Sequence, residues 1–146
     1  MASSPKKIIN ELLVEVFNHI LSIEQTHLKA LGVKLSMNEV HVLEAIQKTK
    51  EPTMSNIAAR LRITVGTLTT AINRLVSKGY CERFSAESDR RKVLISLTPK
   101  ALEVLHVHEE FHEEMIDAAL EDLHLEENDV LIESLENLST YFKNKY

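Results

Sequence analysis

Cys81 is the only cysteine in the 146 residues, so no internal disulfide can form, and a reducing cytoplasm is the expected compartment. Glycine occurs only at Gly32, Gly66 and Gly79, which leaves no loop able to cradle a phosphate. No nucleophile has a base and an orienting group at a recognisable spacing, and Glu109, Glu110, Glu113 and Glu114 read as a solvated helix face. An enzyme is therefore not expected. No apolar run approaches the roughly 20 residues needed to span a bilayer. The basic start, Met1 to Lys7, runs into Asn10 and Glu11, where a secretory signal needs unbroken apolar sequence. Neither export nor a membrane partner is expected.

What is present is a globular composition, 44% apolar and 27% charged, enough for one core. The net charge of −5 is unevenly spread. Residues 60–100 hold nine Lys or Arg (Arg60, Arg62, Arg74, Lys78, Arg83, Arg90, Arg91, Lys92, Lys100) against Glu82, Glu87 and Asp89, a net +6. The remaining 105 residues therefore carry −11. One basic third inside an acidic chain is the footprint of a phosphate-binding face. It argues against an interaction module that has lost nucleic-acid binding, because such a module would have a neutral face.

Helical periodicity dominates the pattern. Ile8, Ile9, Leu12, Leu13, Val16, Phe17, Ile20, Leu21 and Leu28 form a stripe that ends near Gly32. Ser36 with Glu39 makes a capping box for a second helix, with Met37, Val40, Leu43 and Ile46 inward. Thr53 caps a short third helix with Ile57, Ala58 and Leu61 inward, and Thr64 caps a fourth that stops at Gly79. Residues 80–85 and 92–97 read as strands around a polar tip, Ala86 to Arg91. Thr98-Pro99 opens a helix with the stripe Leu102, Leu105, Phe111, Met115, Ile116, Ala119 and Leu120. A last helix, near Asn128 to Phe142, carries Leu131, Leu135, Leu138 and Phe142. Terminal amphipathic helices beyond what a small core needs are expected to pair with a second copy as a homodimer.

The chemistry concentrates between Ile57 and Leu75, two short helices joined by a three-residue turn. Leu68, Ile72, Leu75 and Val76 face inward, which leaves Thr64, Gly66, Thr67, Thr70, Asn73 and Arg74 outward. Short hydrogen-bonding side chains plus a guanidinium suit a helix entering the major groove of DNA. Arg90 and Arg91, on a hairpin tip aimed by Asp89, suit a narrow, negative minor groove.

Leu75-Val76-Ser77-Lys78-Gly79-Tyr80-Cys81-Glu82-Arg83, then Asp89-Arg90-Arg91 and Ile95-Ser96-Leu97-Thr98, resemble the MarR family of regulators, and the likeness spans nearly the whole chain. It implies a mainly α fold with a small β-wing. Residues 35–99 would form a winged helix-turn-helix, and residues 1–34 and 100–146 dimerisation helices, in one continuous fold. Thr67, Thr70, Asn73 and Arg74 would lie near base edges of a pseudo-palindromic operator, with Gly66 and Thr69 on the same helix. Thr64, Lys78 and Arg83 would lie near phosphates, and Arg90 or Arg91 in the minor groove.

Thr64 to Thr70, Phe17 to Leu21 and Phe111-His112 are similar to the FabT-type repressors of fatty acid synthesis. That branch implies no required cofactor but a long-chain acyl group on acyl carrier protein as co-repressor, with Phe17, Leu21, Met37 and Phe111 as lining. Seven histidines open an alternative. Glu24, His41, His108 and His112 resemble the ligand set of zinc-sensing members, with His108 and His112 four residues apart on one helix face. Cys81 is expected to be a buried small hydrophobe, since the thiol-sensing members carry their cysteine in the N-terminal helix.

Overall fold

The computed structural model describes residues 2–146. Ser4 caps the first helix, α1 (Pro5–Asn10), with Pro5 in its first turn. The backbone then runs without a break through a π-helical stretch, Glu11–Val16, into α2 (Phe17–Ala30). The remaining elements are α3 (Met37–Lys48), α4 (Met54–Leu61), α5 (Val65–Ser77), β1 (Cys81–Ser85), β2 (Val93–Leu97), α6 (Pro99–Leu123) and α7 (Asp129–Lys145).

Side-chain caps set these boundaries. Ser36 Oγ accepts from Glu39 N–H at 3.2 Å, Thr53 Oγ1 from Asn56 at 3.2 Å and Thr64 Oγ1 from Thr67 at 3.1 Å. Asn128 Oδ1 accepts from Leu131 N–H at 3.0 Å. Each such cap stabilises its helix by about 1 kcal/mol. After α5 the chain reverses at Gly79, whose φ of 82° suits glycine. Gly79 N–H bonds Val76 C=O and Tyr80 N–H bonds Leu75 C=O, which ties off the last carbonyls of α5.

Tyr80 is buried and starts the wing. The strands β1 and β2 pair antiparallel with Cys81 opposite Leu97 and Arg83 opposite Ile95. A contribution the pattern did not announce comes from Pro52 and Thr53. Thr53 bridges Leu94, and Pro52 C=O accepts from Ile95 N–H at 2.9 Å. The entry to α4 thus covers the outer edge of β2 and fixes the wing to the helices.

Two compact units divide at His108/Glu109. The first holds one core: Leu28, Leu35, Val40, Leu43, Ile46, Ile57, Leu68, Ile72, Leu75, Cys81 and Ile95, closed by Ala101, Val104 and Leu105 of α6. The N-terminal helix and the start of α6 therefore share a unit with residues 35–99. Leu102, expected inward, is 47% exposed. The buried positions of α6 are Ala101, Val104, Leu105 and His108, an i, i+3, i+4, i+7 face that keeps Leu105 of the expected stripe and takes Ala101 in place of Leu102. Leu61, also expected inward, is half-buried at the end of α4.

The second unit comprises the rest of α6, a 3₁₀ turn at Leu125–Glu127, and α7. No residue of α7 is buried. No helix of the described residues is long and apolar enough to cross a membrane.

Candidate nucleic-acid interface

The helix α5 owes its position to one apolar face. Leu68, Ile72 and Leu75 are each fully buried, so the opposite face is outward by geometry. Gly66, Thr67, Thr70, Asn73 and Arg74 are exposed there, and Thr69 is half-buried at the margin. The threonines are held close to their own helix. Thr69 Oγ1 donates to Val65 C=O at 2.8 Å and Thr70 Oγ1 to Gly66 C=O at 3.4 Å. Thr64 Oγ1 donates to Thr67 Oγ1 at 2.9 Å. The result is a low, flat polar surface. A methyl group at Gly66 would meet nothing nearer than Thr64 Oγ1 at 4.0 Å, so packing inside the chain does not require glycine there.

The nine cations of residues 60–100 fall into two sets. Four are held within the fold. Arg60 Nε donates to Thr49 Oγ1 and Nη2 to Lys48 C=O, at 3.2 and 2.8 Å, closing the end of α3. Lys92, just before β2, pairs with Glu51 of the α3–α4 connection, a contact that raises the ammonium's pKa. Lys100 Nζ donates to Lys78 C=O and sits 4.4 Å over the Tyr80 ring. Lys78 was expected near phosphate. Instead its Nζ lies 2.8 Å from Glu39 Oε2 and donates to Lys34 C=O at 3.2 Å, clipping the end of α5 to the start of α3.

Arg62, Arg74, Arg90 and Arg91 form the other set, exposed and with no side-chain partner among the described residues. Arg62 ends α4 in the left-handed conformation, φ 56°. At the wing tip Asp89 Oδ1 accepts from Arg91 N–H, and Asp89 C=O from Lys92 N–H, both at 3.0 Å. The acid shapes the loop and leaves both guanidinium groups outward. Arg83 stands between the sets. It is exposed on β1, and its Nη2 donates to Asn73 Oδ1 at 2.5 Å, joining wing to α5. Beside α5 lies a groove of about 660 Å³, lined in part by Asn38, His41, Ile63, Thr67, Thr70 and Arg74.

Such a head can do one thing well. Guanidinium groups with no side-chain partner stand on the flat polar face of α5 (Arg74), at the end of α4 (Arg62) and on the hairpin tip (Arg90, Arg91), an arrangement suited to phosphate and base contacts. A family model described as the MarR family matches residues 35–93. A crystal structure of FabT from Streptococcus pneumoniae in complex with DNA superposes with a TM-score of 0.86 at 33% identity, covering 97% of this chain and 99% of that one. The chain belongs to the MarR family. It is a winged-helix transcriptional regulator and not an enzyme.

Among curated relatives, the HTH-type transcriptional regulator YfiV of Bacillus subtilis is 29% identical over 78% of this chain and 71% of its own length. Transcriptional regulator ZitR of Lactococcus lactis is 33% identical over 58% of each chain. The chain spans between 46% and 71% of the length of the first three curated relatives.

The residues suggested for effectors are placed as follows. Met37 is part of the packed core, 7% exposed, Leu21 is half-buried and Phe17 is 54% exposed. Phe111 is half-buried in the second unit. His41 and His108 do come together, and Glu44 joins them. One ligand atom from each lies within 4.8 Å of the others. His108 Nε2 is 3.4 Å from Glu44 Oε1, and this contact holds the Glu44 carboxyl below its usual range. Glu44 had no signal in the sequence, since it looks like any surface acid on α3. Glu24 is buried on α2, and His112 lies one turn past His108 on α6, in the second unit. Cys81 is 1% exposed, and burial pushes its thiol up to about 11. A thiol so protonated and covered is a core residue rather than a sensor.

Proposed function

We propose that this MarR-family regulator is a homodimeric repressor that reads a pseudo-palindromic operator and controls fatty acid synthesis genes. The observation that carries DNA reading is the unpaired set Arg62, Arg74, Arg90 and Arg91 on α4, α5 and the wing tip. Thr67, Thr70, Asn73 and Arg74 take base edges, Gly66 and Thr69 keep the helix flat, Thr64 takes phosphate, and Arg90 or Arg91 the minor groove. A second copy covers the apolar residues left exposed at both ends of the chain. A twofold dimer then sets the two heads about one DNA turn apart, roughly 34 Å.

The likeness to the Streptococcus pneumoniae protein over nearly all of both chains supports the fatty acid branch, with a long-chain acyl group on acyl carrier protein as co-repressor. Phe17 and Leu21 are accessible to such a chain, while Met37 is reached only by parting the core. The experiment is fluorescence anisotropy on duplexes from upstream of fatty acid synthesis genes. Long-chain acyl carrier protein should tighten binding at least tenfold over the unacylated carrier. Equal binding with both removes the acyl branch.

One observation favours a second effector. His41, Glu44 and His108 offer two imidazoles and a carboxylate whose ligand atoms lie within 4.8 Å of one another, a donor set that zinc accepts. The donor set fits, with a fourth position left for water or another side chain. Competition against a chelator of known affinity decides. Sub-micromolar Zn²⁺ binding that is lost in Glu44→Ala and tightens DNA binding supports a zinc-responsive repressor of metal-uptake genes. Micromolar or weaker binding, unchanged by the substitution, ends this alternative.

A further inference from the structure

We infer that Arg83 fixes Asn73 as a hydrogen-bond donor, so that α5 selects guanine rather than adenine at the base pair Asn73 meets. This rests on the DNA reading proposed above and deepens it. An asparagine amide is two-sided, with an acceptor oxygen and a two-donor nitrogen. Its familiar pairing with adenine uses both ends at once, Oδ1 accepting from N6 and Nδ2 donating to N7. Here one end is already taken. Arg83 Nη2 donates to Asn73 Oδ1 at 2.5 Å, and both residues are exposed on the face that carries Thr70 and Arg74.

The carbonyl end is thereby turned to the wing, and the plane of the amide is set by a side chain on another element. Asn73 Nδ2 has no partner among the described residues. What Asn73 offers outward is a pair of N–H groups. Guanine presents two neighbouring acceptors in the major groove, N7 and O6, whereas adenine puts the N6 donor where O6 would be. A donor-only amide matches the first and leaves the N6 group of the second without its acceptor. Arg83 is then a positioning residue that joins the register of the wing to the base preference of the helix. A plain phosphate contact would act differently, since its loss weakens binding about equally on every sequence.

The test is selection from a randomised duplex library by the full chain, with sequencing of the bound fraction. Wild type, Asn73→Ala, Arg83→Met and Arg83→Lys are compared. Wild type should prefer guanine at one position per half-site, and Asn73→Ala should flatten that position. Arg83→Met keeps the aliphatic stem but frees Oδ1, and should shift that position toward adenine by on the order of tenfold. Arg83→Lys, which can still donate to Oδ1, should keep guanine. Uniform weakening by Arg83→Met with an unchanged preference overturns the inference, as does a wild-type preference for adenine at the position Asn73→Ala flattens. Failure of wild type to enrich any sequence overturns the DNA-reading proposal itself, and this inference with it.

Discussion

The head and the terminal helices are built from similar apolar stripes that meet opposite fates. In α5, Leu68, Ile72 and Leu75 are all fully buried, whereas Ile8, Ile9, Leu12, Leu13, Val16 and Phe17 stay 37–54% exposed. In α7, Val130 is 75% and Leu135 48% exposed. The head finishes its core within one chain, and the ends do not. At roughly 25 cal/mol per Å² of apolar surface, such stripes are a standing drive toward association. Apolar periodicity therefore predicts helices in both regions but tells where the stripe goes only in the head.

The comparison breaks most visibly in the core. Ile72→Ala should lower the head's unfolding free energy by about 2–5 kcal/mol in urea melts, because no neighbour can collapse into the space. Leu13→Glu combined with Leu135→Glu should leave that unfolding transition nearly in place while shifting the sedimentation mass from dimer to monomer at micromolar concentration. Loss of the head's own folding in that variant would show that the ends hold up the core. The two sets of cations sharpen the same contrast within the head. Arg90→Ala with Arg91→Ala should weaken DNA binding tenfold or more and flatten its salt dependence, with melting unchanged. Lys78→Ala should leave the salt dependence alone and cost at most about 1 kcal/mol of stability, the worth of a partly exposed ion pair.

Smaller effects follow. Gly66→Ala should stabilise α5 by about 0.5–1 kcal/mol in thermal melts, since nothing in the chain crowds the added methyl. Weaker DNA binding in the same variant would place the need for glycine outside the protein. The smallest effect is titrational. His108 holds Glu44 below its ordinary value of 4.5, so the contact stabilises the fold above that pH and is lost as pH falls through the lowered value. Glu44→Gln should remove this part of the acid dependence, read by comparing urea midpoints at pH 3 and pH 7.

Much of the fold was legible because its signals are local. The caps Ser36, Thr53 and Thr64 each bond the backbone three residues on, and residue type and place before an apolar stripe announce them. The outward face of α5 followed from the inward one by helical geometry. Cys81 is buried, as expected of a small hydrophobe. What could not be seen depends on contacts distant in sequence. The bond from Lys78 to Glu39 spans 39 residues, and the covering of β2 by Pro52 and Thr53 spans about 40. Net charge counts Lys78 and Arg91 alike, yet Lys78 is paired with Glu39 and Arg91 has no side-chain partner among the described residues. Leu102 misled because α6 turns its small Ala101 into the core instead, and size and hydropathy alone favour the leucine.

The sealed thiol in β1 makes the molecule a ready background for site-directed labelling. In the folded state Cys81 should ignore maleimides and nitroxide reagents, so a cysteine installed at Ser88 would be the only group to react. A dye or spin label there would report the hairpin tip alone. Wing motion could then be followed with and without duplex, before any change elsewhere in the sequence was needed.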